Sequence, residues 1–256
     1  MPIIQSLDRA LRMLDLFDER QTELKISEIS TKMGLNKSTT HTLLKTLKMH
    51  DYIKQDMETG KYSLGLKLIE RGNYVLSSLD IRKIAKHALT ELSDVTGQTV
   101  HLVILDGQSG VYIDKVEGAT SIVFSRIGRR VPIHSSAVGK ILTAFKSEVE
   151  IDDILTDYEF YKQTKHTITS KEMYIKELQV ANEAGYAMDN EENEPGVYCI
   201  AVPIFDYRGS AVAAISISTT ISNVTKEYKK TTIDLLKESA LTVSHQLGYK
   251  SSIHSI

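Results

Sequence analysis

The stretch "KSTTHTLLK" concentrates the side chains best equipped for chemistry: Lys37, Ser38, Thr39, His41, Thr42 and Lys45. They bring hydroxyl, imidazole and ammonium groups to a segment in which Leu43, Leu44 and Leu47 keep helical spacing. Hydroxylated and β-branched residues are mediocre helix formers, so a helix that opens with them gives up propensity for contacts. If the helix starts near Ser38, a good N-cap residue, its core face is Leu43, Leu44 and Leu47, with Thr40 one turn earlier. Ser38, His41, Thr42, Lys45 and Met49 then share the opposite face. Short hydrogen-bonding side chains there reach phosphates or base edges without holding the helix away from a DNA groove.

Bond-making chemistry finds less support. Cys199, the single cysteine, would need a pKa-lowering neighbour to act as a nucleophile with His134 as its base. No signature supplies one, and "VYCIAV" reads as the setting of an inert buried thiol. His101, His134, Asp189 and Cys199 lack the close spacings typical of zinc ligands. There is no GxxxxGK[ST] loop and no GxGxxG after a strand, and "RIGRR" reads as a solvated charged loop. No catalysis, metal or cofactor is expected.

The elements that must hold the first cluster follow from periodicity. Leu7, Ala10, Leu11, Leu14 and Phe17 mark an amphipathic helix over 5–18. Leu24, Ile26, Ile29 and Met33 mark a short helix closed by Gly34. "LNK" turns into the helix of the cluster, and "YIKQD" and "KYSLG" flank "METG" as two strands around a turn at Gly60. Helix, short helix, glycine turn, helix and hairpin is the order of a winged helix-turn-helix, whose recognition helix sets its N-terminal residues against base edges. Lys37 at the turn, and Lys61 and Tyr62 on the wing, are then expected at phosphates. Residues 24–65 hold seven lysines against four acids, a modest balance of +3, so one copy should bind weakly and a dimer is expected. The competing reading is a small helical bundle or docking module whose Ser/Thr cluster is only a cap.

Leu66, Leu68, Ile69, Val75, Leu76 and Leu79 predict a further helix over 65–79 with too little chain around it to bury both sides. It reads as a connecting or dimer-forming helix, with a boundary near 78–82. Beyond it, helical and strand patterns alternate. "IRKIAKHALTELSDVTG", "SSAVGKILTAF", "EVEIDDILTDYE", "KEMYIKELQVANEAG" and residues 224–247 read as helices. "QTVHLVILD", "GVYIDKVEG", "SIVFSR", "YAMDNEE", "VYCIAVPIFD" and "AVAAISIST" read as strands. Hairpins with interspersed helices predict an α+β domain with one antiparallel sheet covered by helices.

The whole chain sets limits. Net charge is -2, hydrophobic residues make up 41% and charged residues 25%, so no strong global field points to nucleic acid or membrane. The charged N-terminal stretch does not read as a signal peptide, and no apolar run approaches the ~20 residues of a membrane span. With one cysteine and no disulfide, the expected location is the cytoplasm, with no membrane partner.

"GLNKSTTHTLLKTL", "GKYSLGLKL", "RIGRRVPIHSSAVGKILTAF", "NEPGVYCIAVPIFD" and "AVAAISIS", in that order, resemble the IclR family of bacterial transcriptional regulators. The resemblance covers nearly the whole chain. It implies a winged helix-turn-helix DNA-binding domain over 1–64, a linker helix over 65–80 and a GAF-like effector-binding and oligomerisation domain over 81–256. It further implies a double-stranded DNA operator as partner, a small-molecule effector, often a carboxylate, and a homodimer or homotetramer. The family's pocket positions correspond to Val131, Ala137 and Val138 in "VPIHSSAVGK" and to Val123 and Thr120 in the preceding "TSIVFS". They also correspond to Asp189, Val197 and Cys199 in "MDNEENEPGVYC" and to Ser216 and Ser218 on alternate residues of "AISIS". The start of the helix after "HSS" offers backbone N–H groups to a carboxylate. Asp189 would accept a bond from a ligand hydroxyl or repel a second carboxylate.

The expected function is therefore a ligand-responsive, sequence-specific transcriptional regulator, most simply a repressor of a metabolic operon released by a small metabolite. The alternatives are an activator of the same type, or an enzyme or metabolite-binding protein whose N-terminal domain only oligomerises.

Overall fold

The computed structural model describes residues 3–18, 20–78, 80–119 and 125–250. The chain divides into two compact units, Met1–Ser78 and Leu79–Ile256.

The first unit runs α1 (Gln5–Leu14), α2 (Ile26–Met33), α3 (Lys37–Met49), β1 (Ile53–Gln55), β2 (Tyr62–Leu64) and α4 (Lys67–Ser78). Helix α1 stops four residues short of the expected 5–18, and Phe17 reaches the core from the turn that follows. Met13, Phe17, Leu24, Ile29, Leu44, Ile53 and Tyr62 form that core. Gly34 closes α2 at φ +62°, a left-handed conformation that a residue without Cβ adopts freely. β1 and β2 pair antiparallel, and Leu24 joins β2 through reciprocal backbone bonds with Tyr62 of 2.9 and 2.8 Å. These elements make a winged helix-turn-helix.

Ser38 is not the N-cap of α3. Asn36 takes that role: its Oδ1 accepts from the Thr39 N–H at 2.8 Å and from the Ser38 hydroxyl at 2.9 Å. Starting α3 at Lys37 turns Thr40 fully into the core, its hydroxyl donating to the Asn36 carbonyl at 3.0 Å.

The second unit adds α5 (Asp80–Thr96), β3 (Thr99–Asp106), β4 (Ser109–Val116), β5 (Arg130–Pro132), α6 (Ala137–Ala144), α7 (Glu148–Ile154), α8 (Lys171–Ala184), β6 (Ala187–Asn190), β7 (Val197–Phe205), β8 (Ala211–Thr220) and α9 (Lys226–Gln246). The strands form one antiparallel sheet in the order β5-β4-β3-β8-β7-β6. Helices α5 and α9 pack together on one face. Helices α6 and α8 pack on the other, over Val103, Ala201 and Ala214. The short strand β5 is absent from the sequence reading, and the expected strand "SIVFSR" falls largely on 120–124, outside the described residues.

Two features fix α6 against the sheet. A Cβ on Gly139 would lie 2.4 Å from Ile133 Cα, so only glycine permits this approach. Lys140 on the next position is wholly buried. Its ammonium meets Glu192 Oε1 at 2.6 Å, the Met188 carbonyl at 2.8 Å and Glu177 Oε1 at 3.1 Å. Among the described residues, no helix is long and apolar enough to cross a membrane.

Candidate functional site

On α3, Lys37, Ser38, His41, Thr42 and Lys45 are exposed along one face, and Thr39 is half-buried beside them. The Thr42 hydroxyl donates to the Ser38 carbonyl at 3.0 Å, which leaves its oxygen lone pairs outward as acceptors. The surface therefore offers ammonium donors, an imidazole and hydroxyl acceptors on a helix whose other side is locked into the core.

The wing departs from expectation. Tyr62 is 5% exposed, with its ring in the core beside Leu24 and Ile53. It is a structural residue rather than a phosphate contact, because the Leu24 pairing turns its side of β2 inward. Lys61 stays half-exposed, but its ammonium lies 3.4 Å from Glu23 Oε2, a surface pair that a phosphate would have to replace.

In the second unit, a cavity partly open to solvent lies between α6 and the sheet. Val131, Ala137, Val138, Asp189, Val197, Cys199, Ser216 and Ser218 all line it. Eight residues carried by five elements, β5, α6, β6, β7 and β8, thus meet at one place, while Thr120 and Val123 lie outside the described residues. Strand register explains the convergence. Asp189 faces Cys199, Cys199 faces Ser218, and Ser216 faces His101 across neighbouring strands. Side chains two apart on one strand share a face, so a polar row crosses the sheet beneath α6.

The sequence reading missed His101 as a cavity residue, along with Tyr112, Ser125, Arg129, Arg130, Pro132, Ser136, Asn193 and Glu194. His101 alone left a local signal, a polar residue within the apolar run "TVHLVIL". Ser136 spends its hydroxyl on α6, accepting from the Gly139 N–H at 3.1 Å and donating to the Pro132 carbonyl at 2.6 Å. Arg130 pairs with Asp106.

Burial dominates the electrostatics. The Asp189 carboxyl is 2% exposed. Desolvation raises its pKa to about 7, against the pull of backbone N–H groups from Glu192 at 2.7 Å and Asn193 at 3.2 Å. Burial holds His101 neutral, with its pKa lowered to about 3, and Lys115 adds to the effect. The Cys199 thiol is pushed well above its ordinary value, by burial first and by Asp189 next. It is therefore a protonated thiol, bonded to Ser218 Oγ at 3.0 Å, and no nucleophile. His134 is no base for it, because its ring nitrogens engage the Tyr158 hydroxyl at 2.6 Å and the Tyr161 carbonyl at 3.1 Å. Among the described residues, no group of three or more His, Cys, Asp or Glu could hold a metal ion.

A winged helix-turn-helix with an exposed hydrogen-bonding helix face, followed by an α+β domain built around a polar-floored cavity, defines a ligand-responsive DNA-binding regulator. Comparison with known proteins makes the class specific. Residues 6–57 match the IclR helix-turn-helix domain, and residues 73–245 match the bacterial transcriptional regulator IclR C-terminal domain. The HTH-type transcriptional regulator XynR of Escherichia coli K12 is 51% identical over 250 residues, 97% of this chain and 99% of that protein. The HTH-type transcriptional regulator KdgR of the same organism is 38% identical over 247 residues, 96% and 94% of the two chains. The crystal structure of the Thermotoga maritima IclR superposes with a TM-score of 0.77 at 39% identity, covering 96% of this chain and all of that one. The chain belongs to the IclR family of bacterial transcriptional regulators.

Proposed function

We propose that the chain represses a metabolic operon in the cytoplasm, without a catalytic step, and releases it when a small carboxylate enters the cavity beneath α6. The observation that carries this reading is the meeting of Val131, Ala137, Val138, Asp189, Val197, Cys199, Ser216 and Ser218 around that cavity. The backbone N–H groups at the start of α6 suit a carboxylate, and a few polar groups in an apolar lining suit a small ligand. In this reading 1–64 binds DNA, 65–80 links, and 81–256 senses the effector and oligomerises.

Operator recognition rests on Lys37, Ser38, Thr39, His41, Thr42 and Lys45, with Lys61 at the backbone. The assembly is at least a homodimer. Ile3 and Ile4 just before α1, and Leu7 and Leu11 on it, are 56–72% exposed, and an apolar surface of that kind is covered by a partner. A two-fold dimer reads a palindrome-like operator. The test is binding to operator fragments selected in vitro, across a salt series. Sequence-specific affinity that falls steeply with salt supports the reading. Equal affinity for selected and random duplexes overturns it.

A further inference from the structure

A serine or threonine hydroxyl can offer DNA both a donor and an acceptor. On α3 the donors are already spent. The Ser38 hydroxyl donates to Asn36 Oδ1 at 2.9 Å, that of Thr42 to the Ser38 carbonyl at 3.0 Å, and that of Thr46 to the Thr42 carbonyl at 3.0 Å. Thr40 does the same toward the Asn36 carbonyl on the buried side of the helix. Ser38, Thr42 and Thr46 are exposed and follow one another at four-residue intervals, so they form a stripe along one face. Each presents lone pairs and no proton to whatever it meets. Donation is left to the side chains around the stripe, the exposed Lys37 and Lys45 among them.

An acceptor-only stripe discriminates among the groups of a DNA groove. Phosphate oxygens, guanine O6 and N7 and thymine O4 are acceptors as well, so they would face Ser38 and Thr42 lone pair against lone pair. Only the exocyclic amino groups, adenine N6 and cytosine N4, donate in the major groove. We propose that Ser38 and Thr42 are specificity-determining residues that each accept from such an amino group, and that the phosphates are left to the lysines. The inference rests on α3 being the operator-reading helix. A recognition helix sets its N-terminal residues against base edges, which selects Ser38 and Thr42 over Thr46. The two lie one turn, ~6 Å, apart along the helix, and bases of one strand stack ~3.4 Å apart, so they address bases no more than about two steps apart in a half-site. A competing contact for Thr42, its methyl group against a thymine methyl, needs no hydroxyl, and the experiment separates the two.

The test uses the full-length protein and an operator selected in vitro from random duplexes. Thr42→Val keeps the shape and removes the acceptor, whereas Thr42→Ser keeps the acceptor and removes the methyl group. Thr42→Val should relax the selected sequence at one position of each half-site, and base analogues at that position then identify the contact. Replacing adenine by purine, or cytosine by 2-pyrimidinone, deletes the amino group. That change should weaken binding by wild type and by Thr42→Ser about 5- to 150-fold more than binding by Thr42→Val, because the lost base pairing is common to all three. Replacing the purine by its 7-deaza analogue, or thymine by uracil in an A·T pair, should affect wild type and Thr42→Val alike. Ser38→Ala should show the same pattern at a second position within about two steps of the first. The proposal is overturned if amino deletion costs wild type and Thr42→Val the same, if the 7-deaza or uracil duplex reproduces the difference, or if Thr42→Val leaves every position unchanged. Any of these results with a specifically bound operator rejects the amino contact alone. A wild type that selects no sequence rejects the regulatory reading, and the amino contact with it.

Discussion

Replacing Asp189 by Asn should make the effector domain progressively more stable relative to wild type as pH rises from about 4 to about 8. The carboxyl sits at about pKa 7 in the folded chain, against 3.8 when solvated, and desolvation is the leading cause. A raised folded-state value means that ionisation opposes folding. The associated stability is fully present below about pH 4 and is lost as pH rises to about 7. A difference of roughly three pKa units corresponds to about 4 kcal/mol. Asn keeps an acceptor for the Glu192 and Asn193 N–H groups and removes the titration. Its added NH2 must find a partner in the cavity, which takes back about 1–3 kcal/mol at every pH alike. The difference in stability between variant and wild type should therefore rise by about 2–4 kcal/mol from pH 4 to pH 8, whatever its starting value. Urea unfolding at half-unit pH steps measures this, read from the transition with the larger m-value, which belongs to the larger unit. His101 has a lowered pKa and loses stability as pH falls below about 6.5, but it does so in both proteins and cancels in the difference. A flat difference across this range would show that Asp189 is ionised throughout, and the desolvation argument would fail.

Lys140→Met should be among the most damaging single changes, because it leaves Glu192 buried without its cation. Breaking a buried pair costs about 3–5 kcal/mol, and calorimetry should find Lys140→Met/Glu192→Gln more stable than the single variant. Thr42→Ala should cost roughly 1–3 kcal/mol in operator affinity and relax specificity at one base position, whereas Lys61→Ala should weaken all duplexes and lower the salt slope by ~1. In a binding series, an unchanged specificity profile for Thr42→Ala would remove it from the base-reading set. Asn36→Ala should destabilise the winged domain by about 1 kcal/mol through loss of the α3 cap, and Ser38→Ala by clearly less. Equal losses in urea unfolding would return the capping role to Ser38.

Legibility tracks how local the determining interaction is. Helices α2, α8 and α9, the hairpin turn at Gly60 and the closing glycines at 34 and 185 were readable because spacing and turn chemistry are local. The cap of α3 was misplaced by two residues because Asn36 and Ser38 are both good caps. Tyr62 was misplaced because its pairing with Leu24, far back in the chain, sets which side of β2 faces inward. The cavity shows the same rule at larger scale. Ser216 and Ser218 were visible as a period-two pair, but Tyr112, Ser125 and Asn193 come together only through a register that spans five strands.

What the register assembles is unfavourable for folding by itself. A neutral buried histidine with an orphaned nitrogen and a carboxyl whose pKa is raised to about 7 each take stability from the domain. Gly139 and the buried Lys140 ion pairs, by contrast, spend close packing and charge on keeping α6 and the 188–192 segment in place around them. Local rules broken in one place and compensated beside it are the mark of a functional site. The cavity beneath α6 is where both meet in this chain.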